Sequence, residues 1–286
     1  MAQSLKRTIQ NLLKRLGLYY RLKSSRLHTL YWTVANPSLL ESARRELDFY
    51  RHVLEGFHAG DLIFDIGANQ GYKASLFLRL GARVLAVDPD EENKQVLEAT
   101  FLKYRLTPKP IVIVNQAVSD KQSVETMWIN EPGSAKNTLS RKWVDTLQAD
   151  EQRFGHTLSF PQRKEITTTT LEQLFTDHGV PFFIKIDVEG YELNVLRGMR
   201  RPVPYLSFEV NLPEFRAEGL QCVELLGRMA PEGKFNYTSD CGQGLGLEES
   251  LGPEDFSLTL TNCASSSIEV FWKTPRINAG SSMVSS

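Results

Sequence analysis

The chain has few cysteines, no long apolar run and almost no net charge. It has 286 residues and only three cysteines, none in a CxxC pair, which argues against a disulfide scaffold and a zinc framework. No uninterrupted apolar run approaches the roughly 18–20 residues of a membrane span. The formal net charge of −1 gives no support to a nucleic-acid partner. What remains is a globular composition, with 41% hydrophobic and 23% charged residues.

Acidic residues are also missing from the start of the chain, where none precedes Glu41. Residues 1–58 are therefore expected to form a basic helical extension, because apolar residues recur on one helical face between Leu5 and Leu16. Residues 1–26 would contact an anionic membrane or an acidic partner, or else dock on their own domain or on another copy. Since Lys14 and Arg15 interrupt the apolar stretch, no secretory signal is predicted. A cytoplasmic location is expected, with peripheral membrane contact left open.

From Leu62 onward, short apolar runs alternate with helical patterns. Strands are predicted at Leu62–Ile66, Arg83–Val87, Ile111–Val114, Ser123–Ile129, Phe182–Ile186, Tyr205–Val210, Phe235–Thr238 and Ser267–Trp272. Helices are predicted at Ser42–His58, Gln70–Leu80, Glu91–Tyr104, Thr169–His178, Tyr191–Gly198 and Leu220–Ala230. The alternation predicts an α/β fold over residues 59–275, with a mostly parallel central sheet and helices on both faces, followed by a frayed tail at 276–286.

The alternation lapses between Asn130 and Glu165, where the chain is polar and only one helical piece, near Arg141–Gln152, is predicted. A connection of this length inside a compact domain is usually a lid or a binding loop. Trp143 could stack on an acceptor there, but a core position on the helix is equally consistent with its pattern.

Glycines and carboxylates follow the first two predicted strands. Asp65 is followed by a turn with Gly67, Asn69 and Gly71, in which the glycines allow a tight bend and close approach of the backbone to a ligand. Asp88 ends the second strand, where a carboxylate can accept hydrogen bonds from a ribose diol or cap the next helix. Ligands of open parallel sheets bind at such strand ends, so these residues are candidates for a cofactor site.

Two further strand ends carry candidates. Ala117 lies after the third strand, where a small residue could border an adenine ring. Asp187 and Glu189 crowd the end of the strand that contains Lys185, and charges in a half-buried crevice need a counter-charge. A cationic ligand such as a sulfonium would supply it. A divalent metal held by carboxylates stays an alternative, although no histidine stands beside them and no metal site is predicted.

The pattern of these strand ends favours one cofactor over another. A nicotinamide site normally has G-x-G-x-x-G, yet Asn69 occupies the position of the second glycine, where a side chain would crowd a pyrophosphate. S-adenosylmethionine needs no phosphate pocket. It needs partners for its amino-acid end, its ribose and its adenine, and the sequence offers candidates in that order.

Four motifs resemble one known family. Asp65-Ile-Gly-Ala-Asn-Gln-Gly71, Ala117-Val-Ser-Asp120, Thr170-Leu-Glu172 and Ile184-Lys-Ile-Asp-Val-Glu-Gly-Tyr-Glu192 are similar to those of the FkbM-type methyltransferases. The resemblance covers about Leu62–Val210 and implies a class I, Rossmann-like methyltransferase that uses S-adenosylmethionine. It further implies in-line methyl transfer to a hydroxyl of a sugar, glycan or small metabolite. Asp88-Pro89 departs from the Glu-Pro of many relatives but keeps the carboxylate.

In this interpretation each candidate has an expected role. Asp65, Gly67 and Asn69, with the turn closed by Gly71, seat the methionine end. Asp88 binds the ribose, and Ala117 borders the adenine. Asp187 faces the ammonium or the flank of the methyl group. Glu209 and His156 are the candidate bases for the acceptor proton.

Two alternatives remain open from the sequence. The first is an NAD(P)-dependent oxidoreductase, and the second is a non-catalytic cofactor-binding scaffold at a membrane surface.

Overall fold

The computed structural model describes residues 37–102, 110–149 and 157–275. Its strands are β1 (Leu62–Ile66), β2 (Arg83–Val87), β3 (Ile111–Val114), β4 (Ala117–Val118), β5 (Val124–Ile129), β6 (Gln162–Thr169), β7 (Phe183–Ile186), β8 (Tyr205–Asn211), β9 (Lys234–Thr238) and β10 (Ser267–Lys273). Its α-helices are α1 (Pro37–Val53), α2 (Tyr72–Leu80), α3 (Glu91–Thr100), α4 (Arg141–Ala149), α5 (Leu171–His178), α6 (Glu192–Arg197), α7 (Arg216–Met229) and α8 (Pro253–Asn262).

The main sheet of the described residues has seven strands in the order β3-β2-β1-β7-β8-β10-β9. Its first five strands pair in parallel, and β10 is antiparallel to both of its neighbours. The carboxyl ends of β1, β2, β7 and β8 therefore meet at one edge of the sheet. This arrangement confirms the predicted α/β fold with a mostly parallel sheet.

Side chains on the two faces of the sheet enter different apolar clusters, because successive strand residues point to opposite faces. Phe64 and Ile66 pack in the cluster under α4 to α8, whereas Ile63 packs in the cluster under α1 and α2. Asp65 shares a face with Ile63. It is therefore directed toward α1 and α2, together with Lys185 of β7, its register partner.

The segment expected to be an irregular lid ends in β6, which joins β4 and β5 in a second, three-stranded sheet of order β4-β6-β5. The prediction missed β6, which pairs in parallel with β4 and antiparallel with β5. The first four residues of β6 are polar and exposed, so this strand carries little of the apolar signal that strand prediction uses. Trp143 of α4 is buried in the core, which rules out the exposed stacking role.

The other differences from the prediction are shifts at element ends and one helix that was not predicted. Thr170, not Thr169, is the N-cap of α5, where its Oγ1 accepts a hydrogen bond from the N–H of Gln173 at 3.1 Å. Helix α1 begins and ends about five residues earlier than predicted, and α7 begins earlier. Helix α8 was not predicted.

The predicted basic amphipathic helix and frayed tail fall mainly on residues 1–36 and 276–286, outside the described residues. Within the part of the chain that the structure describes, no helix combines the length and the apolar character that crossing a membrane requires.

Candidate active site

Two adjoining cavities lie at the carboxyl edge of the main sheet. The glycine-loop cleft holds about 700 Å³ and is lined by Ile66, Gly67, Asn69, Val87, Asp88, Pro89, Asp90, Asn93, Gln116, Ala117, Val118, Met127, Ser134, Ala135, Asn137, Thr138, Leu139, Asp187, Val188, Glu189 and Tyr191. The polar cavity holds about 690 Å³ and is lined by Lys73, Lys185, Ile186, Asp187, Glu209, Thr238, Ser239, Asp240, Cys241, Ser267, Ile268 and Glu269. Asp187 lines both, so the two spaces adjoin at its side chain.

The turn after β1 forms the floor of the glycine-loop cleft. Gly67 has φ +83°, and a Cβ there would lie 1.8 Å from the carbonyl oxygen of Asp187, so only glycine lets the loops after β1 and β7 touch. Asn69 adopts φ +46° and its N–H donates to Oδ2 of Asp88 at 2.8 Å. The turn is thus held against β2 as well as β7.

Asp88 is buried at the end of β2 and is already well bonded. Its Oδ1 accepts from the N–H of Asp90 at 2.9 Å and from Nδ2 of Asn93 at 3.0 Å, while Oδ2 accepts from Asn69. Burial raises the pKa of Asp88 to about 6, although these hydrogen bonds favour its charged form. A carboxylate has about four acceptor positions, so roughly one remains for a hydroxyl.

Asn93 supplies a second acceptor beside Asp88, and the sequence analysis missed it. Asn93 lines the same cleft, and its Oδ1 is buried and accepts no hydrogen bond from the described residues. A buried acceptor without a donor costs free energy unless a ligand or water satisfies it. Asp88 and Asn93 together therefore suit a diol better than Asp88 alone.

Two candidates from the turn do not line either cavity. Asp65 is completely buried beneath the turn, and neither of its oxygens has a hydrogen-bond partner at normal distance among the described residues. Burial raises its pKa to about 6, against the opposing charges of Lys185 and Lys73. Gly71 is the N-cap of α2, where a Cβ would press on Leu97 and Phe101, so its role is packing. Neither residue is placed to touch a ligand directly.

Ala117 lies where the sequence predicted it, in the wall of the cleft between Gln116 and Val118. Met127 and Leu139 add apolar surface there. The segment of residues 130–139 covers this end, and Asp90 holds it: Oδ2 of Asp90 accepts from the N–H of Gly133 at 2.8 Å and from Nδ2 of Asn137 at 2.7 Å.

Asp187 stays charged because Lys185 contacts it. Nζ of Lys185 lies 2.8 Å from Oδ2 of Asp187. Burial alone would raise the pKa of Asp187, but the ammonium group of Lys185 lowers it below the usual value. For Lys185, burial would lower the pKa, and Asp187 with Glu269 and Asp65 raises it instead. The pair therefore presents a fixed carboxylate at the junction of the two cavities.

The next carboxylates of this loop have structural partners. Glu189 adopts φ +56°, and its Oε2 accepts from Nε1 of Trp143 at 2.7 Å. Glu192 is buried, and its Oε1 accepts from the N–H groups of Val188 and Gly190. Burial raises the pKa of Glu189 to about 7 and that of Glu192 to about 8. Glu192 thus holds the loop that presents Asp187 and Glu189.

Glu209 lies at the end of β8 in the polar cavity, and Oγ of Ser267 donates to its Oε1 at 2.8 Å. Burial raises its pKa to about 8, and repulsion from Asp187 and Glu189 adds to the rise. The structure brings this candidate base beside Asp187. His156, the other candidate, lies outside the described residues.

Sequence reasoning also missed Lys73 and Glu269, which line the polar cavity. Lys73 follows the glycine turn with no motif of its own. Glu269 is on the antiparallel strand β10, which enters the sheet from the far end of the chain. A hydrogen bond of 2.7 Å from Oγ of Ser207 to Oε1 of Glu269 fixes its position. Only the sheet order brings Glu269 to this site.

The charges of the glycine-loop cleft match one cofactor type. Four carboxylates line it (Asp88, Asp90, Asp187 and Glu189), and none of the described residues around it is lysine or arginine. A pyrophosphate would meet negative side chains and no cationic one among these residues, whereas an adenosine that carries a sulfonium and an ammonium would be attracted. The unsatisfied Oδ1 of Asn93 and the apolar wall near Ala117 fit the ribose and adenine of the same molecule.

The main sheet is mostly parallel, with the antiparallel β10 inserted next to its last strand, and the cleft is acidic, with no lysine or arginine among the described residues that line it. These features are those of a class I methyltransferase of Rossmann-like fold. Residues 65–233, more than half of the chain, match the model of the methyltransferase FkbM domain. The chain belongs to the FkbM methyltransferase family, and S-adenosylmethionine is its cofactor.

Solved methyltransferases are similar to this chain at low identity. An S-adenosylmethionine-dependent O-methyltransferase from Thermotoga maritima has 12% identity and TM-score 0.39, with 81% of this chain and 66% of that chain covered. A precorrin-6Y C5,15-methyltransferase from Geobacter metallireducens has 8% identity and TM-score 0.40, with coverages of 82% and 88%. The plantazolicin methyltransferase BpumL, in complex with S-adenosylhomocysteine, has 10% identity and TM-score 0.41, with coverages of 94% and 100%. Comparison with curated proteins gave no match.

Proposed function

We propose that the protein methylates a hydroxyl oxygen of a sugar, a glycan or another small metabolite. The observation that carries the proposal is the position of Glu209, a carboxyl group with a pKa of about 8, in the polar cavity beside Asp187. Bound S-adenosylmethionine supplies an electrophilic methyl group on a positively charged sulfur. The residues of the chain have to hold this cofactor, orient the acceptor and remove its proton.

The glycine-loop cleft supports the cofactor half of the proposal. Gly67 and Asn69, which line the cleft, would hold the methionine end, and the carboxylate of Asp187 would face its positive charges. Asp88 and Asn93 would accept hydrogen bonds from the ribose hydroxyls, and Ala117 would border the adenine. Asp65 acts from beneath the turn, through its negative charge rather than by contact.

Glu209 is the proposed general base. A hydroxyl nucleophile must lose its proton, and a base works best when its pKa is near the working pH. Asp187 suits this role less, because Lys185 keeps its pKa low and engages Oδ2. Ser267 orients Glu209 by donating to Oε1, and Nδ2 of Asn211 lies 3.5 Å from Oε2, so both oxygens are positioned at the end of β8. His156 stays an untested second candidate.

The lining of the polar cavity supports a polyhydroxy acceptor. The polar cavity is lined by the hydroxyl residues Thr238, Ser239 and Ser267 and by several carboxylates. None of the described residues around the cavity is aromatic. Such a surface hydrogen-bonds a sugar-like molecule and offers little to a flat aromatic one.

The test is transfer of a labelled methyl group to a panel of sugars, glycolipids and small hydroxylated metabolites, followed by assignment of the methylated atom. With an active acceptor, kcat/KM should rise about tenfold per pH unit up to a pH of about 8 and level off above it, because only ionised Glu209 accepts a proton.

Glu209→Gln should lower kcat by about 10²- to 10⁴-fold and remove this pH dependence while leaving affinity for S-adenosylhomocysteine intact. Glu248→Gln, at an exposed carboxylate, is the matched control. Methylation at nitrogen or carbon, or an unchanged pH profile in Glu209→Gln, contradicts the proposal.

A further inference from the structure

The glycine-loop cleft leaves one group of the cofactor without a partner. The methionine end of S-adenosylmethionine carries an ammonium and a carboxylate. The four carboxylates of the cleft attract the ammonium and the sulfonium but repel the carboxylate, and no lysine or arginine among the described lining residues offsets this. Two lysines, Lys73 and Lys185, line the neighbouring polar cavity and could supply a cation that offsets this repulsion.

Lys73 is placed to supply that cation. It is the second residue of α2, directly after the glycine turn, and it lines the polar cavity that adjoins the cleft at Asp187. Its side chain is 22% exposed, whereas that of Lys185, the other lysine of the cavity, is 4% exposed and contacts Asp187. Lys73 is therefore the more accessible of the two.

Two residues of α1 fix the Lys73 ammonium. Nζ donates to Oε1 of Glu46 and, at 3.2 Å, to Oη of Tyr50. An ammonium has three donors, so one remains for a ligand. Glu46 also accepts from Oη of Tyr72 at 2.8 Å, which ties α1 to the start of α2 a second time.

The surroundings keep Lys73 positively charged. Burial alone would lower its pKa, but the carboxylates of Glu269 and Glu46 raise it above the usual value. Lys73 is also in the first turn of α2, whose N-terminal end carries partial positive charge, and the N-cap Gly71 provides no side chain to satisfy it. The position at the start of α2 favours an anion at this point, and the ammonium of Lys73 stays charged although Glu46 and Glu269 offset part of its charge.

We infer that Lys73 binds the carboxylate of the methionine end of the cofactor, with Glu46 and Tyr50 as its positioning residues. The inference goes beyond the proposed function, because it makes α1, which precedes the residues 65–233 matched by the family model, a part of the cofactor site. It rests on S-adenosylmethionine as the cofactor and not on the identity of the acceptor.

Calorimetric titration of the full chain with three ligands tests it. S-adenosylhomocysteine has both the ammonium and the carboxylate, decarboxylated S-adenosylmethionine has only the ammonium, and 5′-methylthioadenosine has neither. Lys73→Met should weaken S-adenosylhomocysteine by about ten- to a hundredfold, the range of a charge-assisted hydrogen bond, and change the other two by less than about threefold. Lys164→Met, at an exposed lysine of β6, should change none of them.

The inference is overturned if Lys73→Met leaves S-adenosylhomocysteine binding intact, or if it weakens all three ligands equally. Because Lys73→Met leaves the largely buried Glu46 without its cation, Glu46→Gln/Lys73→Met is the second variant, and it should give the same selective loss. No acceptor is needed in these titrations. The titrations can therefore be interpreted even if the protein does not methylate hydroxyl groups. A loss of affinity confined to S-adenosylhomocysteine would support the role of Lys73 in either case.

Discussion

The carboxylate of Asp88 offers a sharp test of the cofactor site, since Asp88→Asn changes its charge and hydrogen bonding but hardly its shape. In the protein, Asp88 accepts three hydrogen bonds, from the backbone N–H groups of Asn69 and Asp90 and from Nδ2 of Asn93. An asparagine has one acceptor oxygen. If that oxygen keeps the two donors on the α3 side, the new amide NH2 group faces the N–H of Asn69.

The expected loss of stability follows from this count. One hydrogen bond to a charged group disappears and one buried donor is left opposite another donor, which together cost about 1–3 kcal/mol. The melting temperature should then fall by about 2–12 °C. Affinity for S-adenosylhomocysteine should fall about tenfold or more, because the ribose loses a charged acceptor and the turn at Asn69 loses its attachment to β2.

Urea unfolding and calorimetric titration measure the two effects separately. Asp61→Asn is the matched control, because Asp61 accepts one backbone hydrogen bond, from His58 at 2.7 Å, in an exposed turn away from the cleft. It should change stability by less than about 0.5 kcal/mol. If Asp88→Asn leaves stability unchanged, Asp88 does not hold the turn at Asn69 against β2. If it leaves affinity for S-adenosylhomocysteine unchanged, Asp88 does not bind the ribose.

Three further outcomes are expected. Gly67→Ala should destabilise the protein by about 3 kcal/mol or more in urea unfolding, because its Cβ would overlap the carbonyl oxygen of Asp187 at a positive φ; full stability would disprove the contact between the two loops. The pKa of Glu192 is raised to about 8, so the native state binds its proton more tightly and stability falls as pH rises from about 4.5 to 8; Glu192→Gln should lessen that fall between urea curves at pH 5 and pH 8. Asp187→Asn removes a negative neighbour that raises the pKa of Glu209, so the rising limb of the pH profile of the remaining activity should move to lower pH. An unchanged rising limb would show that the charge of Asp187 does not affect the pKa of Glu209.

The strand ends of the first half of the domain were predictable because each is signalled locally. Buried parallel strands are continuous apolar runs, and the turn with Gly67 and the acidic tip at Asp88 follow two of them directly. Asp187 and Glu209 were selected as candidates in the same way. The family motifs also lie at these ends, which is why the class and the cofactor could be inferred before the structure.

The missed features depend on contacts that the local sequence does not encode. The first half of β6 is exposed and charged, so only its pairing with β5 reveals a strand. Asn93 and Lys73 belong to helices, and their roles follow from which cavity each helix faces. Asp65 shows the opposite error: it stands in the right motif, but strand alternation directs its side chain under the turn, toward α1 and α2.

Asp90 links helix α3 to the segment of residues 130–139 through the hydrogen bonds of its carboxylate. One oxygen of this carboxylate accepts from the N–H of Glu92 in the first turn of α3, and the other accepts from Gly133 and Asn137. A movement that swings the 130–139 segment away from α3 would break two charge-assisted hydrogen bonds together, so release is expected to be abrupt rather than gradual. The same residue caps the helix that carries Asn93, and ordering of the segment is thereby coupled to the part of the protein that we propose binds the ribose.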